Sequence, residues 1–408
     1  MSKSSSTDYS SDSSDYCNDV INLNLLGKCI HNNFIITKHL GSGSYADVWK
    51  TYLFNDFFKL KKGFYAIKIH NKENFDIGIH EENMLKFLKY RSHHIVKLLK
   101  SFITYYCGMK LHCQIFPLYD GNILDISLSS SDIKYILKGI KILHDKNIIH
   151  GDIKPENILY RGKIRDINNY ELYLILNYNN ILDDYINNYK TLHNKTNIKN
   201  IERNHICEIV YNDIVHNYKF TNNNDTNDTN DTNDGVCNSD SINGDDNNNT
   251  TNNNNNNKHY DIVVIDFGGC VYNKLVHQFI NQTRYYRAPE VILDGIISPA
   301  IDIWSIGCMI IEIIKDNLLF NPDDKGYNRD LLHLEMIQRY FGKIRYDKYN
   351  NIDLYNDLQN LSYVEYPFKL IYPDLQIISP LLQPNYSDRC DINYCIKYIP
   401  DIFYLINK

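Results

Sequence analysis

His150-Gly151-Asp152-Ile153-Lys154-Pro155-Glu156-Asn157 is the stretch on which the reading of this chain turns. One short loop brings together a carboxylate, a cation and an amide. Phosphoryl transfer asks a protein for those three groups. The carboxylate of Asp152 would accept the proton of an attacking hydroxyl. Lys154 would neutralise charge on the transferring phosphate, and Asn157 would hold a magnesium ion. Taken singly, each is an ordinary loop residue, so the argument depends on what the rest of the chain supplies.

The 408 residues suffice for one two-lobed domain or two to three small ones, and a hydrophobic content of 43% can fill a large core. The net charge of −6 gives no electrostatic case for nucleic acid as the main partner. Ten cysteines without a C-x-x-C pair indicate neither a zinc site nor a disulfide framework and fit a reducing compartment. Residues 1–19 are Ser- and Asp-rich with no apolar centre, unlike a signal peptide. The longest apolar run, residues 308–314, carries Glu312 and is too short to span a bilayer. A soluble, intracellular monomer with no membrane partner is expected, in cytoplasm or nucleus. The 34 tyrosines and the abundance of Ile and Asn read as a low-GC coding bias. Such chains occur in amoebal giant viruses and some protozoan parasites; a viral source would place the protein in the virion or the host cytoplasm.

Working outward from the loop, residues 1–33 are expected to be a disordered Ser/Asp-rich tail. Strands are expected at 34–37, 45–52, 64–69, 95–102 and 112–116, with a helix over 81–88 whose Met84, Leu85 and Leu88 share a face. Five strands and one helix make a small lobe over 34–120. Asp132 is the expected N-cap of a helix carrying Ile133, Ile136, Leu137, Ile140 and Leu143. Residues 161–258 read as an insertion in a larger lobe over 121–408. Its first half has a helical stripe of Leu182, Tyr185, Ile186 and Tyr189. Its second half holds three Asn-Asp-Thr repeats from Asn224 and the tract Asn252 to Asn257, which cannot bury a core. Repeat drift in an exposed loop accounts for that half; a docking spacer is the functional alternative.

Gly41-Ser42-Gly43-Ser44-Tyr45-Ala46-Asp47-Val48 is a glycine-rich turn where backbone N–H groups can approach phosphates closely. Alone it is no more than a hairpin signal. Lys68 closes Tyr65-Ala66-Ile67-Lys68, and Glu81 is its expected ion-pair partner, with Glu82 the alternative one residue away. Asp266, followed by Phe267 and Gly268, ends the buried-strand run 261–265. Hard oxygen donors at Asn157 and Asp266 suit magnesium. The joint occurrence in order carries the signal: turn, strand lysine, helix glutamate, loop carboxylate, strand aspartate.

In that order the motifs resemble the eukaryotic protein kinase family over residues 34–402. The resemblance implies an α+β, two-lobed protein-kinase-like fold: a small five-stranded antiparallel β lobe with one helix, and a larger, mainly α-helical lobe. It implies ATP and Mg²⁺ as cofactors, a protein with a Ser or Thr acceptor as partner, and Asp152 and Lys154 as catalytic residues. ATP contacts would come from Gly41, Ser42, Gly43, Ser44, Tyr45, Ala46, Val48, Lys68, Glu81 and Tyr119, with Ala46 replacing the family's third glycine. Thr283 would contact Asp152 and Lys154, Asp302 would anchor the loop backbone, and Arg389 would pair with Glu290. Arg287 ahead of Ala288-Pro289-Glu290 looks like the group of cyclin-dependent, mitogen-activated, Clk-like and SR-protein kinases. Within it the loop, residues 319–322 and 327–334, and the large spacer are most similar to SR-protein kinases. Phe267 and Ala288-Pro289-Glu290 are more Clk-like, and the spacer does not sit at that family's lobe junction. An acidic groove for Arg-Ser substrates could come from Asp323, Asp324, Asp330 and Glu335, but a solvated acidic loop is the stronger reading of the four.

Lys154, two residues after Asp152, matches the Ser/Thr-type arrangement. The competing class is a docking module on a kinase-like fold, motivated by Ala46 and the insertion. Such modules usually lose the lysine, the loop aspartate or the metal aspartate, and all three stand here as Lys68, Asp152 and Asp266. Many kinases place an Arg where Gly151 stands, and that Arg reads an activation-segment phosphate. Residues 266–290 contain no Ser, their only Thr is Thr283, and Tyr272, Tyr285 and Tyr286 are the other candidates for modification. Activity without activation-segment phosphorylation is therefore expected.

Overall fold

The computed structural model describes residues 25–55, 57, 59–88, 93–162, 169–176, 181–194, 196–197, 209–210, 260–272, 282–322, 328–345 and 347–406. The Asn-Asp-Thr repeats, the Asn tract, Asp323 and Asp324 lie outside them.

Strands β1 (Cys29–Ile30), β2 (Phe34–Ser42), β3 (Asp47–Leu53), β4 (Gly63–His70), β5 (Lys100–Tyr106) and β6 (Met109–Phe116) form one antiparallel sheet in the order β1-β2-β3-β4-β6-β5. The sheet has one strand more than expected, from residues assigned to the tail. Leu25 and Ile30 are each only 1% exposed, Gly27 turns the chain at φ +72°, and Cys29 and Ile30 pair with Ile35 and Phe34. Residues 25–33 therefore belong to the sheet because they bury two large apolar side chains. Alternation along the strands gives the sheet two apolar faces. Phe34, Ile36, Trp49, Tyr65 and Ile67 form a cluster of their own on one face. Ile35, Tyr52, Phe64 and Ala66 join the core that continues into the large lobe.

Helix α1 (Phe75–Leu88) starts six residues before the expected 81–88 span. Its first turns, Phe75-Asp76-Ile77-Gly78-Ile79, alternate apolar and small residues as a strand does, which hides the helical period. The expected strand at 95–102 is displaced to β5. Ile95 instead bridges Val264, and Val96 N donates to Val264 O at 3.0 Å, so this apolar run ties the lobes together.

In the large lobe, helix α2 (Ser130–His144) is capped by Ser129, not by Asp132. Asp132 is the third helical residue, and its carboxylate returns a bond to Ser129 N at 2.8 Å while Asp132 N donates to Ser129 Oγ, a reciprocal capping box. Helix Ala300–Lys315 is buried continuously from Ile301 to Ile311, which makes it the central helix of the lobe. Trp304 stacks on Phe320 with ring centroids 5.6 Å apart.

The insertion leaves and returns at adjacent strand ends: Arg161 at the end of Ile158–Arg161 pairs with Asp261 at the start of Asp261–Val264. That arrangement lets the insertion grow without disturbing the flanking sheet. Its described part forms helices α3 (Asn169–Leu176) and α4 (Ile181–Leu192). The second spans the positions of the expected stripe; the first was not legible. Helix α3 packs on the small lobe, where buried Glu171 lies 3.0 Å from Lys50 Nζ of β3. No described helix is long and apolar enough to cross a membrane.

Candidate active site

The pairing of β3 with β4 sets Val48 opposite Lys68 on the face turned toward the large lobe. Lys68 Nζ donates to Glu81 Oε1 at 2.9 Å and to Asp266 Oδ1 at 2.7 Å. Glu81, not Glu82, therefore reaches the lysine. Glu82 turns to the sheet and accepts from Lys86 and from His112 Nε2, the latter at 2.7 Å. Glu81 Oε1 also accepts from Phe267 N at 3.1 Å, so α1 is tied to the segment that carries Asp266. Burial alone would depress the Lys68 ammonium, but the charges of Asp266 and Glu81 outweigh it and hold Lys68 well above its ordinary range. Burial likewise works against ionised Glu81, yet Lys68 and His70 bring it below the usual carboxylate range. The charge of Lys68, opposed by burial, lowers Asp266 to about 2. Asp266 adopts φ +66°, the left-handed region that Asp tolerates better than most residues.

The loop around Asp152 is held from below. Asp302 Oδ2 accepts from His150 N at 2.8 Å and from His144 Nε2 at 2.9 Å, and Asp302 Oδ1 accepts from Gly151 N at 2.9 Å. Burial opposes ionisation of Asp302, but His144, His150 and the Gly151 N–H keep it below the usual range. Gly151 takes φ +79°, a conformation that costs residues with a Cβ. Asp152 Oδ1 accepts from Thr283 Oγ1 at 2.6 Å and from Thr283 N at 3.0 Å. Its Oδ2 lies 2.8 Å from Lys154 Nζ, and Lys154 Nζ donates to Thr283 Oγ1 at 2.7 Å. Asn157 Nδ2 donates to Asp152 O at 2.8 Å, which directs the amide oxygen of Asn157 elsewhere as an acceptor.

At the glycine-rich turn, Gly43 N donates to Ala46 O at 2.9 Å, and Ser42, Gly43, Ser44 and Tyr45 are exposed. A Cβ built on Gly41 would meet no atom within 4 Å, and its φ is not left-handed. Neither packing nor backbone strain demands glycine there, so the open space fits a cradle for a ligand. Tyr119 lies in the connection after β6, with the Arg161 guanidinium 4.9 Å from its ring. Among the described residues no group of three or more His, Cys, Asp or Glu forms a metal cage. The oxygens of Asp266 and Asn157 fit a cation that takes few protein groups and completes its shell with water and phosphate, as magnesium does.

Arg287 Nε donates to Gln282 O at 2.9 Å, and Ala288 N donates to Gln282 Oε1 at 3.0 Å. Arg389 and Glu290 form a bidentate pair at 2.5 and 2.6 Å. Tyr286, one of three tyrosines open to modification on sequence grounds, is only 3% exposed and donates to Glu312 Oε2 at 2.5 Å, which removes it from that set. Asp330 is paired with Arg284, and Glu335 Oε1 lies 2.6 Å from Arg339, so neither stands free as an acidic groove would need. His70, His112 and Gln114 were missed in the sequence. They are buried polar residues on a sheet face, and only the strand register brings them together.

A family model described as "Protein kinase domain" matches residues 34–169 and 248–398, breaking at the insertion. The serine/threonine-protein kinase named L205 of Acanthamoeba polyphaga mimivirus is 26% identical over 413 residues, covering 78% of this chain and 73% of that one. Serine/threonine-protein kinase Doa of Drosophila melanogaster is 42% identical over 96 residues, covering 24% of this chain and 11% of Doa. The Dictyostelium discoideum serine/threonine-protein kinase clkA is 25% identical, covering 78% of this chain and 28% of its own. The chain thus spans a small part of the cellular relatives and most of the viral one. A crystal structure of a kinase domain superposes with a TM-score of 0.54 at 18% identity, covering 92% of this chain and 96% of that one, a likeness of fold. On the family match, and with these relatives, the chain belongs to the protein kinase domain family as a protein serine/threonine kinase.

Proposed function

We propose that this kinase moves the γ-phosphate of ATP to Ser or Thr hydroxyls of proteins with the groups gathered around Lys68 and Asp152. One observation carries the reading: Lys68 Nζ lies within 2.9 Å of Glu81 and 2.7 Å of Asp266, joining sheet, helix and the Asp266 segment at one point. Transfer by positioning and charge stabilisation needs that junction assembled before substrate arrives. Lys68 binds the α- and β-phosphates. Asp152, oriented by Thr283 and by the amide of Asn157, accepts the proton of the acceptor hydroxyl. Lys154 stabilises charge on the phosphate while Thr283 fixes its ammonium. Asp266 and Asn157 would hold Mg²⁺, which when bound neutralises the phosphate oxygens. Gly41 to Ala46 and Val48 cover the nucleotide, and Tyr119 lies at its outer edge.

Three finer readings belong to the same proposal. The protein acts as a monomer inside the cell, and its substrates carry Ser in an Arg/Ser-rich context. The support for that context is the Clk-like and SR-protein-kinase-like motif set together with the Dictyostelium relative named clkA. Activity needs no activation-segment phosphate, because Gly151 offers no charge to read one and Glu81 is already seated.

Asp152→Asn is expected to lower transfer to a Ser-containing basic peptide about 10²–10⁴-fold, and Lys68→Met to abolish it. Radiolabelled ATP with Arg-Ser, Pro-directed and Ala-substituted peptides reads both the chemistry and the context. Undiminished turnover in both variants sinks the assignment; preference for the Pro-directed peptide sinks the Arg/Ser context alone.

A further inference from the structure

Behind the Lys68–Glu81 pair lies a cluster that the transfer chemistry does not use. His70 on β4 and His112 on β6 face each other across the sheet, with ring centroids 5.7 Å apart and exposures of 0% and 1%. Both rings abut α1. His112 Nε2 is 2.7 Å from Glu82 Oε2, and His70 Nε2 is 3.6 Å from Glu81 Oε2. Two residues along β6, buried Gln114 Nε2 donates to the Gly78 carbonyl at 3.0 Å. The helix side is shaped to match. A Cβ on Gly78 would stand 2.5 Å from His112 Nδ1 and 2.8 Å from His70 Nδ1, closer than real contacts allow. Three buried polar side chains of the sheet therefore meet one helix face at its only glycine, in consecutive turns that end at Glu81 and Glu82.

We propose that His70, His112 and Gln114 are positioning residues: a polar seat that fixes the height and rotation of α1 and thereby places Glu81 against Lys68. An apolar seat would let the helix slide or turn, because apolar contacts have no direction. The bonds of His112 and Gln114 do, and a buried one left unmade is costly, so they hold α1 in one register while the His70 ring packs beside Glu81. Burial pushes His112 below its ordinary range against the pull of Glu82, in keeping with a hydrogen-bonding role for the ring. The proposal rests on the assignment of Lys68 to the nucleotide phosphates. It predicts an effect on nucleotide use and none on the protein acceptor.

The test is steady-state kinetics of the full chain with ATP and peptide varied separately. His112→Leu removes the donor and keeps the volume; His112→Gln restores a donor at similar reach. His112→Leu is expected to raise KM for ATP about tenfold, with peptide KM unchanged, and His112→Gln to recover most of that loss. Gly78→Ala probes the seat from the helix side. Alanine favours a helix over glycine, so a loss there cannot come from a weakened helix. Its KM for ATP is expected to rise by a similar factor, and it serves where His112→Leu does not fold. KM values for ATP within twofold of the parent in Gly78→Ala and in a folded His112→Leu overturn the seat. Lys68→Met in the same assay separates the two claims: if it keeps full transfer, the assignment of Lys68 fails; if it is inactive while the seat variants match the parent, only the seat fails.

Discussion

Arg389 and Lys68 are both cations held against buried carboxylates, one inside the large lobe and one where the lobes meet. Arg389 uses every N–H it has. Nη1 donates to Glu290 Oε1 and Ala300 O, Nη2 to Glu290 Oε2 and Pro384 O, and Nε to Gln383 O. Its guanidinium lies 4.9 Å from the Trp304 ring, and both partners are 0% exposed. Lys68 has two carboxylate partners, but Asp266 is 41% exposed on its side chain. The first pair is saturated and closed to any newcomer. The second can exchange partners, since a phosphate can compete for Lys68 and a cation for Asp266. If Lys68 serves the nucleotide as proposed, the difference teaches how to tell a charge that holds a fold from one kept for chemistry: by what its acceptors have left to give.

Arg389→Ala should break the comparison most visibly. It leaves Glu290 buried without its partner, which costs about 3–5 kcal/mol by analogy with other broken buried pairs. Denaturant unfolding followed by far-UV dichroism measures this. Lys68→Met is expected to cost less than half as much, because Asp266 falls back on water and Glu81 keeps the Phe267 N–H. A larger stability loss for Lys68→Met than for Arg389→Ala would mean that the cleft pair also carries the architecture.

The same contrast explains what the sequence disclosed. The loop at residues 150–157, the strand lysine and Asp266 are legible because each motif is local and has a fixed spacing. Arg389 and Glu290, 99 residues apart, were legible only through family resemblance. His70 with His112, and Lys50 with Glu171, had no signal at all. Each is a polar residue in an apolar strand whose partner is chosen by register or by a helix returning from the insertion. Boundaries failed where local pattern and tertiary context disagreed. The start of α1 reads like a strand, and Ile95 and Val96 read like the start of a sheet strand but bridge the lobes at Val264.

Gly151 sharpens the comparison by adding a cost of a different kind. Asp302 fixes its N–H, and the backbone bends to φ +79° to deliver it. Gly151→Arg puts a Cβ in the left-handed region, at about 1–2 kcal/mol. Unfolding free energy should fall by that amount, less than for Arg389→Ala. Phosphatase treatment of the parent chain should leave its turnover unchanged, whereas Gly151→Arg creates the charge that a phosphate could engage. A parent enzyme that loses activity with phosphatase would overturn the reading of Gly151 as a release from that control.

The smallest effect separates the two pairs by acid. Asp266 sits at about 2, against an ordinary value of 3.8, held there first by the charge of Lys68 and resisted by burial. A depressed carboxylate stabilises the fold above its unfolded value, and that contribution disappears as pH falls through the folded one. The window is therefore between 3.8 and about 2. Lys68 is raised, so its own contribution is fully present throughout that acid range and adds no slope there. Asp266→Asn removes the titration while keeping a residue that tolerates the left-handed backbone. Unfolding free energies of parent and variant should converge as pH is lowered through this window. The gap should be smaller than that for Gly151→Arg, because water reaches the open side of this carboxylate and screens its charge. If the two curves run parallel, the depressed Asp266 adds nothing to the fold, and the cleft pair is held together for its chemistry alone.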